Sequence, residues 1–243
     1  MARLSNPKVH GDLGKRYDFD TKGMVKCNIV YNTRNGYWVR EDTFDRRMIN
    51  DSLNHYKGFH ELEGKTVLDL GGNCGGFTRM AILAGAKQVI SLEPCPHNHQ
   101  ILCINAPEAT NLNAAVTDGP TGSTTFYYTD SRRSSSSSSI NIRRNSSDLK
   151  ITVAAYNINE LLEKYQPDIM KMDIEGKEYD ILDAMGEIPD YVGQFAVEFH
   201  SFSKVSMKYP DKYFPEALWD REVKGFKFFG KMRHNDYLFR RKQ

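Results

Sequence analysis

The sequence predicts an α/β fold built on a mostly parallel sheet, and three observations carry that expectation. From Lys65 onward, apolar runs of strand length alternate with stretches of helical period, which implies parallel pairing and right-handed crossovers. Residues 67–94, "VLDLGGNCGGFTRMAILAGAKQVISLEP", set two glycine pairs between a strand and a helix, with an acid at or near the end of each apolar run. The chain of 243 residues is 40% hydrophobic and 26% charged, enough for one large core and within the length of one α/β domain.

The elements follow in order. Residues 1–23 have little periodicity and are expected to form a flexible arm ahead of a single domain spanning 24–243. "KCNIVYNTRNGYWVRE" alternates apolar and polar residues around Asn35-Gly36, a strong hairpin signal. "DTFDRRMINDSLNHYKGF" has helical spacing, with Asp42 or Thr43 as its N-cap. "TVLDLG" reads as a buried strand, "GGFTRMAILAGA" as a helix, "QVISLEP" as a strand, "PHNHQILCINA" as a helix and "NLNAAVTD" as a third strand. "STTFYYTD" and "LKITVAAYN" then form an inserted antiparallel hairpin. It carries a Ser/Arg-rich stretch, 131–147, whose serine run Ser134–Ser139 cannot build a core and is expected to be mobile. "INELLEKYQ", "DIMKMDIEG", "KEYDILDAMG" and "QFAVEFH" read as helix, strand, helix and strand. Residues 201–224 are polar and aromatic with no clear period, and the chain closes in a hairpin turning at His234-Asn235-Asp236.

Composition bounds the partners. A net charge of +2 demands neither a nucleic acid nor a membrane surface. There is no run of 18 apolar residues, and the polar first twenty residues lack the core of a signal peptide. Cys27, Cys74, Cys95 and Cys103 form no Cys-x-x-Cys pair, which suggests reduced thiols and a cytoplasmic location.

A strand that runs into glycines and opens a helix suits a nucleotide-like ligand, because backbone approaches closely where Cβ atoms are missing. Glu93 follows Gly71 by 22 residues, where a carboxylate can accept both ribose hydroxyls of an adenosine. The dinucleotide fingerprint G-x-G-x-x-G is absent, and Asp69 beside the turn would repel a pyrophosphate. The ammonium of S-adenosylmethionine would instead be attracted there. A tight turn that binds nothing is the plainer alternative.

"VLDLGGNCGGFT", "SLEPCPHN", "NAAV", "KMDIEGKEYDIL" and "VEFH", in this order, resemble the FkbM-type methyltransferases, as does the upstream "VREDTFDRRMI". The resemblance covers roughly residues 25–200. It implies a Rossmann-like class I methyltransferase fold, with seven strands in the order 3-2-1-4-5-7-6 and strand seven antiparallel. It also implies S-adenosyl-L-methionine as cofactor and, for most members, O-methylation. Transferred onto this sequence, it puts Asp69, Gly71, Gly72, Asn73, Gly75 and Gly76 around the methionine end. Glu93, with Pro94 beside it, would hold the ribose, and Ala115 and Val116 would flank the adenine. The serine insertion and segment 201–224 depart from the family.

Ligands on open α/β sheets bind at the carboxyl ends of strands, where Asp173, Glu175, Glu198 and His200 lie. Glu198 and His200 share a side of their strand by period-two alternation. Asp173 is the expected base or acceptor-orienting group, with His200 second and Glu198 beside it. Crowded carboxylates could also hold Mg²⁺ or Mn²⁺. Glu175 could equally serve the start of a helix, and Glu198 and His200 could be a structural pair. Zinc at Cys95, His97, His99 and Cys103 lacks the usual ligand spacing. Arg132, Arg133, Arg143 and Arg144 could grip phosphate.

The expected activity is methyl transfer to a hydroxyl of a sugar, glycan or small metabolite. One rival is a nucleic-acid methyltransferase acting on RNA ribose or cap. Ribose 2′-O-methyltransferases usually place a lysine after strand five, where this chain has Glu198 and His200. A non-catalytic module that keeps the cofactor fold is the other rival.

Overall fold

A computed structural model describes residues 29–41, 43–129, 148–186, 188–200, 226–233 and 236–241. The expected arm, the Ser/Arg-rich stretch and segment 201–224 lie outside them. β1 (Ile29–Asn32) and β2 (Tyr37–Arg40) pair antiparallel, and Gly36 in the turn takes φ 78. α1 (Asp45–His55) starts two or three residues later than its expected caps. Its N-cap is Phe44, whose side chain has no acceptor, and the expected cap Thr43 accepts from Asp45 N at 3.3 Å through Oγ1. A 3-10 turn, Tyr56–Gly58, ends the helix.

β3 (Thr66–Leu70), α2 (Gly76–Leu83), β4 (Gln88–Leu92), α3 (Pro96–Asn105) and β5 (Thr110–Leu112) follow. The expected third strand is in fact two. Asn113 interrupts it, donating from Nδ2 to the carbonyls of Glu93 and Pro94 at 2.8 and 3.2 Å, and the chain leaves the main sheet as β6 (Ala114–Thr117). β6 pairs with β8 (Asp148–Asn157), which pairs antiparallel with β7 (Gly122–Thr129), making a separate three-stranded sheet. α4 (Ile158–Tyr165), β9 (Ile169–Met172), α5 (Glu178–Met185), β10 (Gln194–Glu198), β11 (Phe226–Arg233) and β12 (Asp236–Arg241) complete the described chain.

The main sheet runs β11-β12-β10-β9-β3-β4-β5. Counting only its own strands in chain order, that is 3-2-1-4-5-7-6, and β12 lies antiparallel between β10 and β11. Parallel strands covered on both faces are apolar throughout. Leu68, Leu70, Ile90, Leu92, Met170 and Met172 face α4 and α5, while Val67, Val89 and Ile169 face Phe77 and Ala81 of α2. The same alternation turns Asp69, Ser91 and Lys171 toward the α2 face, in register on neighbouring strands.

Candidate active site

A cleft of about 330 Å³ opens at the carboxyl edge of the main sheet. Its floor is the turn after β3 (Gly71 to Cys74), the turn after β4 (Glu93, Pro94), β6 (Ala114 to Val116) and the turn after β9 (Asp173 to Glu175). Glu198 closes one end. One side of α1 forms the wall. Phe44, Met48, Asp51, Ser52 and His55 recur at helical spacing and line the cleft together. Buried polar contacts dock this wall. Arg40 pairs with Asp45 at 2.7 Å and donates to Asn98 Oδ1 at 2.8 Å. Asn105 accepts from Trp38 N at 2.7 Å and donates to Cys74 O at 2.8 Å, and Tyr37 donates to Gly76 O at 3.0 Å.

Gly71, Gly72, Asn73, Gly76, Glu93, Pro94, Ala115 and Val116 all border the cleft, but the glycines answer first to protein neighbours. A Cβ on Gly71 would overlap the carbonyl of Asp173, and one on Gly72 would overlap Ser91 Oγ. On Gly76 it would reach Ser52 of α1 at 2.9 Å. Gly75 does not border the cleft. It takes φ +85, and its Cβ would meet Leu102 and Asn105 of α3 at 3.2 and 3.3 Å, so its bareness serves helix packing.

Asp69 also departs from expectation. Its place before the last residue of β3 turns the carboxylate under α2, fully buried, rather than into the cleft. There it accepts from Thr78 Oγ1 at 2.6 Å and pairs with Lys171 Nζ at 3.1 Å. Lys171 itself lines the cleft and was not anticipated. Only 3% exposed, its ammonium donates to Gly71 O at 2.6 Å, lies 3.8 Å from Asp173 Oδ2 and sits 5.3 Å above the Tyr56 ring. Burial disfavours the ammonium, but Asp69 and Asp173 outweigh that and hold its pKa above the ordinary value. Tyr56 donates to the same Asp173 Oδ2 at 3.4 Å. The other oxygen of Asp173 has no hydrogen-bond partner among the described residues.

Glu93 is 5% exposed, yet it borders the cleft. Its oxygens accept from Asn73 N at 2.8 Å and Cys95 N at 2.9 Å, fastening the two turns together. Burial pushes its carboxyl up to about 7, against the pull of those two amides and of Lys171.

At the far end, His200 Nδ1 lies 3.0 Å from Glu178 Oε1, and Nε2 lies 3.6 Å from Glu175 and 3.5 Å from Glu198. Glu178 also accepts the backbone N–H groups of Ile174 and Gly176, which hold the turn after β9. Burial opposes the imidazolium. The hydrogen bond and charge of Glu178, then the charges of Glu175 and Asp173, prevail and raise its pKa to about 11. These carboxylates favour the imidazolium at neutral pH, and the ring stands behind the cleft lining rather than in it, an arrangement that suits an orienting role better than that of a second base.

Asp173, Glu175 and His200 present ligand atoms within 4.8 Å of one another. Two carboxylate oxygens and one imidazole nitrogen could hold Mg²⁺ or Mn²⁺ there, and the cation would have to displace the proton that Glu178 and Glu175 favour on the ring. Among the described residues, Cys95, His97, His99 and Cys103 do not gather into such a group. Cys95 packs in an apolar cluster and His97 lies against Tyr128, so the zinc alternative is not supported. S-adenosylmethionine does fit. The cleft has the volume of a small-molecule site, with a buried carboxylate facing small apolar residues of β6.

The pattern of the methyltransferase FkbM domain matches residues 69–228, about two thirds of the chain. The protein belongs to the FkbM methyltransferase family. It is an S-adenosylmethionine-dependent methyltransferase, with an α/β fold resembling the class I enzymes. No curated protein sequence matches this FkbM chain. Among solved structures, a ribosomal protein methylase from Lactobacillus delbrueckii subsp. bulgaricus is 13% identical, with 88% of this chain and 82% of that chain covered at a TM-score of 0.41. A candidate RNA methyltransferase from Pyrococcus horikoshii is 15% identical, over 81% and 84%, at 0.39. The candidate methyltransferase yhhF from Escherichia coli is 11% identical, over 86% and 94%, at 0.40. No helix among the described residues is long and apolar enough to cross a membrane.

Proposed function

We propose that this FkbM methyltransferase methylates a hydroxyl of an uncharged sugar, glycan or small metabolite, with Asp173 orienting the acceptor and taking its proton. The observation that carries this is the chemistry of the acceptor end. Asp173, Glu175 and Glu198 line the cleft together, outnumbering Lys171 and Lys177 there. Carboxylates accept hydrogen bonds from hydroxyls, so this end supports a polyol over a nucleic-acid phosphate.

S-adenosylmethionine supplies an electrophilic methyl on a sulfonium. The residues of the chain do the rest. Glu93 accepts from the ribose hydroxyls, and Ala115 and Val116 give the adenine an apolar bed. Gly71, Gly72, Asn73 and Gly76 shape the turn at the methionine end. Asp173 meets the acceptor hydroxyl through its free oxygen. That carboxylate would take the hydroxyl proton as the acceptor oxygen is methylated, and the cofactor would depart as S-adenosylhomocysteine. Alignment of this kind contributes ~7–11 kcal/mol, and a positioned base ~10²–10⁴-fold.

The test is methyl transfer across a panel of sugars, glycans, small hydroxylated metabolites and RNA, with EDTA in parallel. Turnover on an uncharged hydroxyl, reduced ~10²-fold or more in Asp173→Asn, is expected, and loss with EDTA restored by Mg²⁺ or Mn²⁺ would assign a cation to Asp173, Glu175 and His200. Turnover on RNA alone, or full turnover in Asp173→Asn, overturns the reading.

A further inference from the structure

The reading of Asp173 leaves open what holds that side chain at the strand end, and the buried lysine beside it has no part in that reading. A lysine ammonium that is 3% exposed is costly unless every donor is used. Lys171 meets partners on two sides. On one side it donates to Gly71 O at 2.6 Å and pairs with Asp69 at 3.1 Å, both part of β3 and the turn that follows it. On the other side its charge faces Asp173 Oδ2 at 3.8 Å, an ion pair without a hydrogen bond. Tyr56 reaches the same Oδ2 at 3.4 Å, and Phe59, tilted, and Phe77, edge-on, pack against its ring at centroid distances of 6.3 and 5.3 Å. The backbone carries the link too, since Asp173 N donates to Leu70 O at 3.0 Å.

We infer that Lys171 and Tyr56 are positioning residues for methyl transfer: Lys171 ties the cofactor turn to the acceptor-orienting carboxylate, and Tyr56 fixes that carboxylate's rotamer from the wall of the cleft. This rests on the reading of Asp173 as the acceptor-orienting group. Oδ2 is occupied from two directions, so Oδ1 is the oxygen turned to the acceptor. The two residues differ in what they reach. Lys171 touches both the turn and the acid, whereas the Tyr56 hydroxyl donates to the acid. Tyr56 comes from the turn that ends α1, so this half of the clamp is set by the wall and not by the sheet.

That difference sets the experiment. Titration calorimetry with S-adenosylhomocysteine reads the turn, and kcat on the acceptor found in the panel reads the carboxylate. Lys171→Met should weaken S-adenosylhomocysteine ~10-fold or more and lower kcat as well, the scale of a lost charged hydrogen bond. Tyr56→Phe keeps the ring and removes only the hydroxyl. It should leave S-adenosylhomocysteine affinity and the KM for S-adenosylmethionine within about twofold while kcat falls ~10-fold, the cost of a loosened reacting group. A residue of merely structural use would not split the two readouts in this way. Wild-type affinity in a folded Lys171→Met overturns the link to the turn. If Lys171→Met does not fold, Tyr56→Phe decides alone. Wild-type kcat in Tyr56→Phe, where Asp173→Asn is inactive, overturns the clamp and leaves the reading of Asp173 standing. Full turnover in Asp173→Asn removes that reading instead, and the calorimetric result for Lys171 stands by itself.

Discussion

Lys171 and His200 each sit among carboxylates at the same edge of the sheet, the first between Asp69 and Asp173, the second between Glu175, Glu178 and Glu198. Lys171 is a cation in the unfolded chain as well as in the folded one at any ordinary pH. His200 is a cation only because the fold makes it one. The first cluster therefore depends on geometry alone, and the second also on taking up a proton. A protein that must hold its cofactor turn rigid gains from the permanent charge, while the far end of the cleft tolerates a conditional one.

The largest effect should come from breaking the permanent pair. Lys171→Met leaves Asp69 buried with no cation and should cost about 3–5 kcal/mol of unfolding free energy in urea titrations at pH 7. A loss under 1 kcal/mol would mean that Asp69 takes up a proton cheaply and that the two clusters are alike after all.

The conditional pair should show in pH dependence. The folded pKa of His200, about 11, lies above its ordinary 6.5. Its stabilisation is thus complete below about 6.5 and lost as pH rises through 11. Wild type should lose stability between pH 7 and 9 by roughly 1 kcal/mol per unit more than His200→Gln does. Parallel curves for the two proteins would refute the imidazolium.

Glu93 sharpens the contrast, since its closest partners are amides. Its folded pKa of about 7 exceeds the ordinary 4.5, so its contribution to stability is present below 4.5 and lost as pH rises to 7. Ribose hydroxyls favour the ionised form, so S-adenosylhomocysteine should bind with proton release below pH 7. Affinity should then fall up to about tenfold per unit as pH drops. Calorimetry in buffers of different ionisation enthalpy measures the proton directly, and a pH-independent affinity from 5.5 to 8 would contradict it.

The smallest effect involves no charge. Gly75→Ala, strained at positive φ and tight against Leu102, should cost about 1 kcal/mol in thermal unfolding while S-adenosylhomocysteine affinity stays within about twofold. A large loss of affinity with unchanged stability would return Gly75 to the ligand.

Much of this was legible in the residues. Alternating strand and helix patterns announced the main sheet, and Glu93 and Asp173 declared themselves as acids where apolar runs stop. The limits were geometric. Asp69 precedes the final residue of its strand, and period-two alternation alone would have turned it away from the cleft. Lys171 had a signal too: a lysine inside "IMKM" cannot be buried without an anion in register, and Asp69 on β3 is that anion. Asn113 hid its break because a single strand and a strand that changes sheets share one apolar pattern. The face that α1 turns to the cleft depends on docking through Arg40, Asn98 and Asn105, contacts between residues far apart in the chain.

The stretch that matches the family begins at residue 69, yet a whole wall of the cleft comes from α1, ahead of it. The matched stretch carries the cofactor turn and the acid, while much of the mould pressed against the incoming molecule is a front piece fastened by a few buried polar contacts. Such a piece is interchangeable in principle. Grafting another hairpin and helix onto β2 and α3, with Arg40, Asp45, Asn98 and Asn105 kept as fastenings, would redirect the enzyme to a new acceptor without disturbing the residues that handle the methyl group.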